Sequence, residues 1–414
     1  LAQRGFSVSG SDPRDQAVLT DLRRLGVRVF RQQSASTIDA IRSGTSVSPL
    51  VVISSAVPES NPELQAARRA GLAIFHRADV IGGIVPAFGS NGRNGDGRLL
   101  VAEADESDGS LVKFKASLAV LTNLELDHTD HYPNLEALIR TMQRFTRHSR
   151  KLLANHDCAV LRSNFKADHW WSIEQHQNVT FAAIASEARG NGTIANFFER
   201  GQRVGTLEIP LPGRHNLSNV TAAIGACRLE GVSFAELQQA VATLKAPGRR
   251  FDYRGCWQQR LVVDDYAHHP SEVAATLQMA RLMLNTGSSP LPQQPQRLLA
   301  VFQPHRYSRT AEFLDGFAEA LSSADAVVLA PLYSAGEKPI KGVCSMALAR
   351  AIAARHPQLP IGVATSNDEL TELVARASRP GDLVLAMGAG DINGLWDRLN
   401  RLPSEEGPLP LLAA

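Results

Sequence analysis

The sequence predicts an α/β protein of three domains, in which Rossmann-like first and third domains flank a central α/β domain. With 414 residues the chain is too long for one ordinary hydrophobic core. Towards both ends of the chain, short apolar runs alternate with amphipathic segments, which is typical of parallel sheets covered by helices. Changes in this pattern place the three domains at 1–79, 80–247 and 248–414.

The first domain is predicted from three strands and the segments between them. Strands are expected at 6–9, 27–30 and 50–54, helices are expected at 17–25 and 37–42, and a further helix begins at Asn61 and Pro62. Asp12 follows the first strand, where Rossmann-like folds place an acid on a ribose or sugar hydroxyl. Its spacing suits a helix cap equally well, and both interpretations stay open. Leu1 lies in what reads as the tail of a helix, so we expect further residues before it.

Acidic and histidine side chains follow two apolar runs in the middle of the chain. The runs, 99–102 and 118–122, each have the length of a buried strand. If they lie parallel in one sheet, the side chains after them project from the same edge, where α/β sheets bind ligands. Those side chains are Glu103, Asp105, Glu106 and Asp108 after the first run, and Asp127, His128, Asp130 and His131 after the second. Such an oxygen-rich cluster suits a hard divalent cation that bridges to phosphate.

The remainder of the central domain is predicted to be a helix and a strand followed by a β-rich segment. A helix is expected at 134–145, and strands are expected at 151–161, 179–183, 193–198 and 204–209. Asn216 and Asn219 then fall at the start of a helix, with His215 on the same side as Asn219. Capping by asparagine and contact of these polar groups with a nucleotide base are both open interpretations.

The third domain repeats the alternation of strands and helices, and polar motifs follow three of its strands. Strands are expected at 260–264, 297–302, 326–330, 361–364 and 383–387, and helices at 271–283, 311–321, 345–355 and 368–377. The motifs are DDYAHHP at 264–270, QPHRYSRT at 303–310 and MGAGDI at 387–392. Because the carboxyl ends of parallel strands line the ligand crevice, we expect this domain to face the central one across an active site.

Composition and charge argue against several classes of function. A net charge of +2 gives no general reason to expect nucleic acid or an anionic membrane as a partner. The four cysteines are scattered without CxxC spacing, which argues against a zinc site or a disulfide framework and favours a reducing compartment. No apolar run reaches the ~18 residues of a transmembrane helix, and no signal peptide is recognisable. We therefore expect a cytoplasmic protein.

Ten short motifs, read together, resemble the Mur ligase family. They occur in family order over nearly the whole chain: GSD (10–12), SSAVPESNPEL (54–64), VAEADESDGS (101–110), TNLELDHTDHY (122–132), PGRHNLSNVTAA (212–223), RRFDYRG (249–255), VVDDYAHHPSEV (262–273), FQPHRYSRT (302–310), YSAGEKPIKG (333–342) and MGAGDING (387–394). The strings EADESD, DDYAHHP and QPHRYSRT are most similar to the branch of the family that adds L-alanine. Each motif alone is a weak signal, whereas the ordered combination is a strong one.

The resemblance implies an ATP-dependent ligase of peptidoglycan precursor synthesis with a central ATPase-type domain. In that reaction the lactyl carboxylate of UDP-N-acetylmuramate attacks the γ-phosphate of ATP, and the amine of L-alanine then displaces phosphate from the acyl phosphate. Such chemistry needs in-line positioning and charge neutralisation more than a covalent nucleophile. The implied cofactors are ATP and Mg²⁺, and the implied partners are UDP-N-acetylmuramate and L-alanine.

The resemblance also implies roles for individual residues. Glu103 and His128 match the family's magnesium-associated acid and histidine, although a histidine is a soft ligand for magnesium and His128 could act through water or on the acyl phosphate. The implied contacts with the ATP nucleotide are His215, Asn216, Asn219, Arg250 and Asp265. The other implied catalytic positions, which meet the substrate carboxylates, are Tyr266, His268, Arg306 and Arg309. The residues expected at the uridine diphosphate end are Asp12, Ser54 and Ser55.

Two departures from the family pattern concern phosphate binding. No GxxGKT[TS] string is present, and the glycine-rich turn that should precede Leu1 is also absent. The glycine-rich stretch at 81–97 follows Val80 directly, and it reads better as a loop than as a phosphate site. Either the sequence leaves out a segment at this junction, or the chain carries a genuine deletion and holds ATP phosphates poorly. We favour the first explanation, because no strand or helix is completed between Val80 and Ile81.

Three other interpretations remain beside the ligase that adds alanine. A ligase that adds a preformed peptide to the same nucleotide sugar fits the motifs, because the amine pocket is not readable from sequence. A non-catalytic nucleotide-sugar-binding protein follows if the phosphate loop is truly deleted. A dinucleotide-dependent oxidoreductase rests on the Rossmann-like sheets alone, and a fold does not fix a function.

Overall fold

The computed structural model describes residues 7–12, 17–43, 45, 49, 51–53, 60–72, 74–76, 99–129 and 131–402. The chain separates into two compact units. The first unit comprises Leu1–Gly83 with Ser90–Lys113, and the second comprises Ile84–Gly89 with Phe114–Ala414. The predictions on Ser54, Ser55 and Asp130, and on the junction of Val80 and Ile81, lie outside the described residues.

The described residues of the first unit form two pairs of parallel strands, three short α-helices and a 3₁₀ turn at Ser110–Lys113. β1 (Ser9–Ser11) pairs with β2 (Arg28–Phe30), and β3 (Val51–Ile53) pairs with β4 (Ile74–His76). The helices are α1 (Ala17–Arg24), α2 (Ala35–Arg42) and α3 (Pro62–Arg69). The predicted alternation of strand and helix is confirmed, although β1 begins three residues after its predicted start.

The start of α3 follows from its sequence as predicted. The Asn61 side chain accepts hydrogen bonds from the backbone N–H groups of Glu63 and Leu64, at 2.9 and 3.1 Å. Pro62 lies in the first turn, where its missing N–H leaves no hydrogen bond unmade. Leu64 and Ala67 are buried, so the helix packs one apolar face against the rest of its unit.

The apolar run at 99–102 is not a strand, and the prediction of one there is wrong. Residues 99–106 have no regular secondary structure, and Leu99, Leu100 and Val101 are 59%, 80% and 90% exposed. A strand forms only where a neighbouring strand pairs with its backbone, and the length and apolarity of a run do not supply that neighbour. The expectation that strand pairing aligns Glu103 with the acids after the second run is therefore also wrong.

The second unit contains two six-stranded sheets, the first of which belongs to the central part of the chain. Its strand order is β10-β9-β8-β7-β6-β5, with β5 to β8 parallel and β8 to β10 antiparallel. The strands are β5 (Ala119–Leu121), β6 (Leu152–Asn155), β7 (His169–Ser172), β8 (Phe181–Arg189), β9 (Gly192–Glu199) and β10 (Gln202–Ile209). The helices are α4 (Leu135–Arg147), α5 (Ala159–Asn164), α6 (Arg214–Leu229) and α7 (Phe234–Val241).

Most predictions for this central sheet are confirmed. The strand at 118–122, the helix at 134–145 and the β-rich segment at 162–210 are all present. The strand predicted at 151–161 is wrong in its second half, because Ala159 begins α5. Trp171 and Phe197 are fully buried in the core of this sheet, and the indole N–H of Trp171 donates to Ser218 Oγ of α6 at 3.2 Å.

The second sheet of this unit belongs to the C-terminal part of the chain. Its strand order is β11-β12-β16-β13-β14-β15, and every neighbouring pair is parallel except β11 with β12. The strands are β11 (Asp252–Trp257), β12 (Arg260–Asp265), β13 (Arg297–Phe302), β14 (Ala326–Leu329), β15 (Ile361–Val363) and β16 (Asp382–Met387). The helices are α8 (Pro270–Thr286), α9 (Tyr307–Glu312), α10 (Leu314–Leu321), α11 (Ser345–Arg355), α12 (Asn367–Ala377) and α13 (Leu395–Leu399).

Helices cover both faces of this C-terminal sheet. Along β13, Leu298 and Ala300 belong to a core with α8, α10 and α11, whereas Leu299 and Val301 belong to a core with α12 and α13. Alternate residues of a strand face opposite sides, so a strand that is apolar throughout must be buried on both. The predicted doubly wound α/β architecture is confirmed for this part of the chain.

Two local features of the C-terminal sheet differ from prediction. The helix predicted at 311–321 is two helices, α9 and α10, which meet at Phe313. The Phe313 ring packs edge-on against His269, with ring centroids 4.8 Å apart, and this contact from the start of α8 is not visible in local sequence. β11 lies where the sequence predicts only a domain boundary. Gly255 lies within this strand with a φ angle of 149°, and it interrupts the alternating residue pattern by which a strand is recognised in a sequence.

The four cysteines all lie in the second unit. All four thiols are unpaired, and two of them are exposed. Within the described residues, no helix combines the length and the apolar character that crossing a membrane requires.

Candidate active site

Three polar motifs lie together at one edge of the C-terminal sheet. In β12, β16 and β13, which are adjacent and parallel, Asp265 and Phe302 both lie opposite Met387. The motifs DDYAHHP, MGAGDI and QPHRYSRT directly follow these three strands. Because parallel strands end at the same edge, the motifs converge there, as the sequence predicts.

Asp127 of the central domain binds Arg309 of the C-terminal domain. The Nε and Nη2 groups of Arg309 both donate to Oδ1 of Asp127, at 3.1 and 2.6 Å, and Arg309 is only 5% exposed. Burial acts to raise the pKa of Asp127, but the charge and the hydrogen bonds of Arg309 outweigh it, so the pKa lies below its usual value. The carboxylate is therefore ionised at neutral pH and forms a charge-assisted link between the two domains.

His128 contacts the same carboxylate. Its backbone N–H donates to Oδ1 of Asp127 at 2.7 Å, and its Nε2 lies 3.7 Å from Oδ2. The φ angle of His128 is 52°, a left-handed conformation that is uncommon for residues other than glycine. Asp127 thus joins two of the predicted catalytic residues, His128 and Arg309.

Two histidines lie beside Arg309. Its Nη1 donates to Nδ1 of His305 at 3.2 Å, and the His305 ring stacks on Tyr333 with centroids 5.5 Å apart. The ring of His268 lies 6.0 Å from that of His305. Burial, together with the positive charge of Arg309, lowers the pKa of His305 to about 4, so this ring is neutral at neutral pH.

Tyr266 lies against two arginines. The guanidinium carbons of Arg249 and Arg250 are 4.8 and 5.7 Å from the centroid of its ring, within the range of a cation–π interaction. Arg249 also donates from Nε to Oδ2 of the buried Asp264 at 3.2 Å, and from Nη2 to the carbonyl oxygen of Gly388 at 3.0 Å. Arg249 therefore ties the ends of β12 and β16 together and fixes the position of the Tyr266 ring.

Asp265 is buried, and both of its oxygens bind the protein itself. Oδ2 accepts the backbone N–H of Phe251 at 2.7 Å, and Oδ1 accepts the N–H of Ala267 at 2.8 Å and the hydroxyl of Thr276 at 3.3 Å. Burial raises the pKa of Asp265, while these hydrogen bonds and Arg250 act in the opposite direction. The carboxyl group shapes the loop after β12, and its implied contact with the ATP nucleotide stays a prediction.

Glu272, near the start of α8, gathers groups from this loop. Its Oε2 accepts the backbone N–H groups of His268 and His269, at 2.9 and 3.2 Å, and lies 3.3 Å from Nδ1 of His268. Its Oε1 lies 3.6 Å from Nη1 of Arg250. Burial acts to raise the pKa of Glu272, but His268, the two N–H groups and Arg250 outweigh it, and the net shift is downward.

Two further contacts of glutamate side chains border the cluster. Nδ1 of His269 lies 3.6 Å from Oε2 of Glu125, which makes a second link between the central and C-terminal domains. Arg306 has a φ angle of 67°, and its Nη1 lies 3.7 Å from Oε1 of Glu337. The hydroxyl of Ser308 donates to the same Glu337 oxygen at 2.7 Å, so the glutamate holds the first turn of α9 in place.

Three of the five residues implied to contact the ATP nucleotide, His215, Asn216 and Asn219, lie in the first turns of α6. Among the described residues no side chain caps this helix, so the capping interpretation of the asparagines is wrong. The side-chain amide of Asn216 donates to the carbonyl oxygen of Pro212 at 2.7 Å, and Asn219 is exposed. Burial lowers the pKa of His215, and the positive charge of Arg250 in the C-terminal domain lowers it further.

Asp12 and Glu103 are the implied site residues of the first unit that the structure describes. Glu103 is exposed, and within the described ranges no group of three or more histidine, cysteine or acidic side chains is arranged to hold a metal ion. The backbone N–H of Asp12 donates to the carbonyl oxygen of Phe30 at 3.1 Å, which continues the pairing of β1 with β2. Their implied roles stay predictions.

Four residues of the cluster have no individual role predicted from sequence: Asp127, Arg249, Glu272 and His305. Each lies inside a motif that carries the family resemblance, and this membership is the signal that points to them. Their partners are not visible in the motifs, because Arg309 lies 182 positions after Asp127.

Three sequence models of Mur ligase domains match successive parts of the chain. The model described as "Mur ligase family, catalytic domain" matches residues 1–88, and "Mur ligase middle domain" matches residues 85–227. "Mur ligase, glutamate ligase domain" matches residues 249–390. The matches follow one another along the chain and leave little of it uncovered.

The chain is also similar over its whole length to proteins named UDP-N-acetylmuramate--L-alanine ligase. It is 55% identical to that of Prochlorococcus marinus (strain MIT 9303) over 454 aligned positions, which cover 100% of this chain and 93% of that protein. It is 55% identical to that of Synechococcus sp. (strain CC9605), with 96% of this chain and 94% of that protein covered. Since the chain has 414 residues, at least 40 of the 454 positions have no counterpart in it.

Among solved structures, the chain resembles UDP-N-acetylmuramate-alanine ligase MurC from Thermotoga maritima. The TM-score is 0.74 at 22% sequence identity, with 96% of this chain and 93% of that chain covered. At this identity the likeness concerns the fold, and together with the three domain matches it confirms the predicted three-domain α/β architecture.

Proposed function

The chain belongs to the Mur ligase family, and from this premise we propose that it is an ATP-dependent ligase that joins L-alanine to UDP-N-acetylmuramate. The observation that carries the proposal is the 55% identity over the whole chain to proteins named for this reaction. Function depends on the site more than on the fold. The motifs of the site, from VAEADESDGS to MGAGDING, are present in this sequence.

The reaction proceeds in two steps. The lactyl carboxylate attacks the γ-phosphate of ATP, which releases ADP and forms an acyl phosphate. The alanine amine then attacks the acyl carbon, and phosphate leaves with the electron pair of the broken C–O bond. Neither step needs a covalent bond to the protein, so the side chains must orient the reactants and stabilise developing charge.

The cationic and aromatic groups at the strand ends suit these needs. Arg306 and Arg309 supply positive charge for the carboxylates of the two substrates, and the guanidinium group is well suited to oxyanions. Asp127 supports this assignment for Arg309, since it holds the group in place and also contacts His128. Tyr266, held by Arg249, forms a wall of the same site.

The nucleotide assignments follow the family motifs. We assign contacts with ATP to His215, Asn216, Asn219, Arg250 and Asp265. The electrostatic effect of Arg250 on His215 supports this assignment, because the two residues belong to different domains. We assign Asp12, Ser54 and Ser55 to the uridine diphosphate end of the sugar substrate.

Magnesium fits the chemistry of the donors that the sequence offers. Mg²⁺ binds through one or two carboxylates and substrate phosphates and keeps several waters. Glu103 is an exposed carboxylate of this kind, and we propose that it holds the ion, with His128 as the second group. Bound there, the ion neutralises phosphate charge.

The reducing compartment predicted from sequence fits this function. The four unpaired cysteines are those of a protein that needs no disulfide, which supports a cytoplasmic location.

The first prediction tests this function directly. The purified chain should release phosphate only when ATP, UDP-N-acetylmuramate and L-alanine are all present, and mass spectrometry should detect the alanyl nucleotide sugar. A preformed tripeptide is offered in competition with L-alanine. If the chain is a ligase that adds peptides, the tripeptide should be joined to the nucleotide sugar in preference to L-alanine. Binding of the nucleotide sugar in a calorimeter without any phosphate release contradicts the proposal and indicates a non-catalytic binding protein.

A further inference from the structure

Two neighbouring histidines of the cluster hold their protons on opposite nitrogens. Nδ1 of His268 lies 2.9 Å from the carbonyl oxygen of Tyr266 and 3.3 Å from the carboxylate of Glu272. Both partners only accept hydrogen bonds, so Nδ1 of His268 must carry the proton. In the neutral ring, Nε2 of His268 is therefore an unprotonated acceptor.

His305 has the opposite arrangement. Its Nδ1 lies 3.2 Å from Nη1 of Arg309, and a guanidinium group only donates. Nδ1 of His305 is therefore the acceptor, and Nε2 carries the proton. The rings of His268 and His305 are 6.0 Å apart, so a proton acceptor and a proton donor lie on neighbouring side chains of the same site.

We propose that His268 is the general base of the second step and takes the proton of the attacking alanine amine at Nε2. This inference rests on the proposed function. The amine nitrogen forms a bond to the acyl carbon, phosphate leaves with the electron pair of the C–O bond, and the N–H proton passes to Nε2. The resulting imidazolium is held by Glu272 and by the carbonyl oxygen of Tyr266, which accept from Nδ1–H in both protonation states.

The surroundings of His268 keep the ring neutral but able to accept a proton. Burial lowers its pKa, and Glu272 acts against that as the nearest anion. Arg309 lowers the pKa further, whereas the Tyr266 carbonyl and Asp127 raise it, and the net shift is downward. Since the neutral form prevails at neutral pH, the lone pair of Nε2 is available for a proton.

Two other histidines of the cluster, His269 and His305, are less suited to this role. Nε2 of His269 is buried and, within the described part of the chain, has no hydrogen-bond partner, so a substrate amine does not reach it. His305 has its only lone pair turned to Arg309, and its pKa of about 4 makes it a weak proton acceptor. His268 combines a free lone pair with a side chain that is 16% exposed.

The activity test separates the second step from the first. His268→Gln should lower alanine-dependent turnover by between about 100-fold and 10,000-fold, the range for loss of a general base. Hydroxylamine is a nucleophile that is already unprotonated at neutral pH, so hydroxamate formation from the acyl phosphate should be retained. His356→Gln is the matched control, because His356 is an exposed histidine of the same domain. Equal loss of both activities in His268→Gln overturns the proposal.

A spectroscopic test does not depend on turnover. Nitrogen-15 NMR of the imidazole rings in the full chain should report Nδ1–H for His268 and Nε2–H for His305. Glu272→Gln keeps an acceptor for Nδ1–H but removes the charge, so it should shift the pKa of His268 further down. Nε2–H on neutral His268, or an unchanged pKa in Glu272→Gln, overturns the proposal. A wild-type chain that forms no hydroxamate but shows these tautomers contradicts the proposed function only.

Discussion

Arg309 donates three hydrogen bonds from its guanidinium group to the protein itself. Nε and Nη2 donate to Asp127, and Nη1 donates to His305. A buried guanidinium needs such partners, because a charge removed from water without them is costly. Since Asp127 also contacts His128, Arg309 influences the site through the side chains that it holds as well as through any substrate that it meets.

The pair of Asp127 with Arg309 carries a second prediction, which concerns stability. Asp127→Ala leaves a buried guanidinium uncompensated and should lower the free energy of unfolding by about 3 kcal/mol, the lower end of the range for such losses. Asp127→Asn keeps an acceptor oxygen and should cost less. Urea denaturation, read as an apparent unfolding free energy, measures both variants.

The matched control for this prediction is Glu136→Ala. Glu136 pairs with Arg140 on the surface of α4, where the side chains are 76% and 60% exposed. An exposed pair of this kind contributes less than about 0.5 kcal/mol. If Asp127→Ala and Glu136→Ala lower the free energy of unfolding by the same amount, the pair of Asp127 with Arg309 contributes no more to stability than an exposed pair.

At the scale of the element, prediction succeeds where nearby residues decide the structure. Asn61 and Pro62 begin α3 as expected, because a side-chain cap and a first-turn proline act locally. The run at 99–102 is as apolar as a strand, but it has no partner strand, and pairing is not a local property. The break at Phe313 likewise depends on contact with His269 from another helix.

The candidate site is likewise predictable from the sequence only in part. The strand ends that carry polar motifs are predictable, because buried parallel strands have continuous apolar runs. The partners within the site are not predictable, since the link of Asp127 to Arg309 joins two domains. The same holds for the tautomers of His268 and His305, which are set by a backbone carbonyl and a distant guanidinium group.

The loop after β16 carries a third prediction. A Cβ added at Gly390 would lie 2.7 Å from Cγ of Tyr333 and would also clash with the side chain of Gln303. Gly390→Ala should therefore destabilise the protein by about 1–3 kcal/mol. Because Tyr333 stacks on His305, kcat/KM for alanine should fall as well.

Gly362→Ala is the control for this loop. Gly362 lies in β15 of the same sheet, and an added Cβ there would meet its nearest neighbour at an ordinary 3.7 Å. Thermal unfolding and steady-state kinetics of the two alanine variants should differ clearly. Similar melting temperatures and similar kcat/KM values contradict the packing argument.

At the scale of the whole molecule, the part of the site that should bind the ATP phosphates lacks the sequence features of the family. The sequence has no GxxGKT[TS] string, and at least 40 positions aligned with the Prochlorococcus protein have no counterpart in it. The apolar run that includes Leu100 and Val101 is exposed, and no strand of the described residues pairs with it. A missing segment that carries a strand and the phosphate loop accounts for all three observations.

This argument gives the last prediction. Inserting the corresponding segment of the Prochlorococcus protein between Val80 and Ile81 should tighten ATP binding by about 10-fold to 100-fold. The reason is that one hydrogen bond to a charged phosphate contributes about 1.5–3 kcal/mol, and a loop at a helix N-terminus supplies such bonds. Alanine-dependent phosphate release should rise in parallel, and amide exchange at Leu100 and Val101 should slow.

A glycine and serine linker of equal length, inserted at the same point, should change none of these. If the linker and the segment act alike, the phosphate loop is not what the chain lacks.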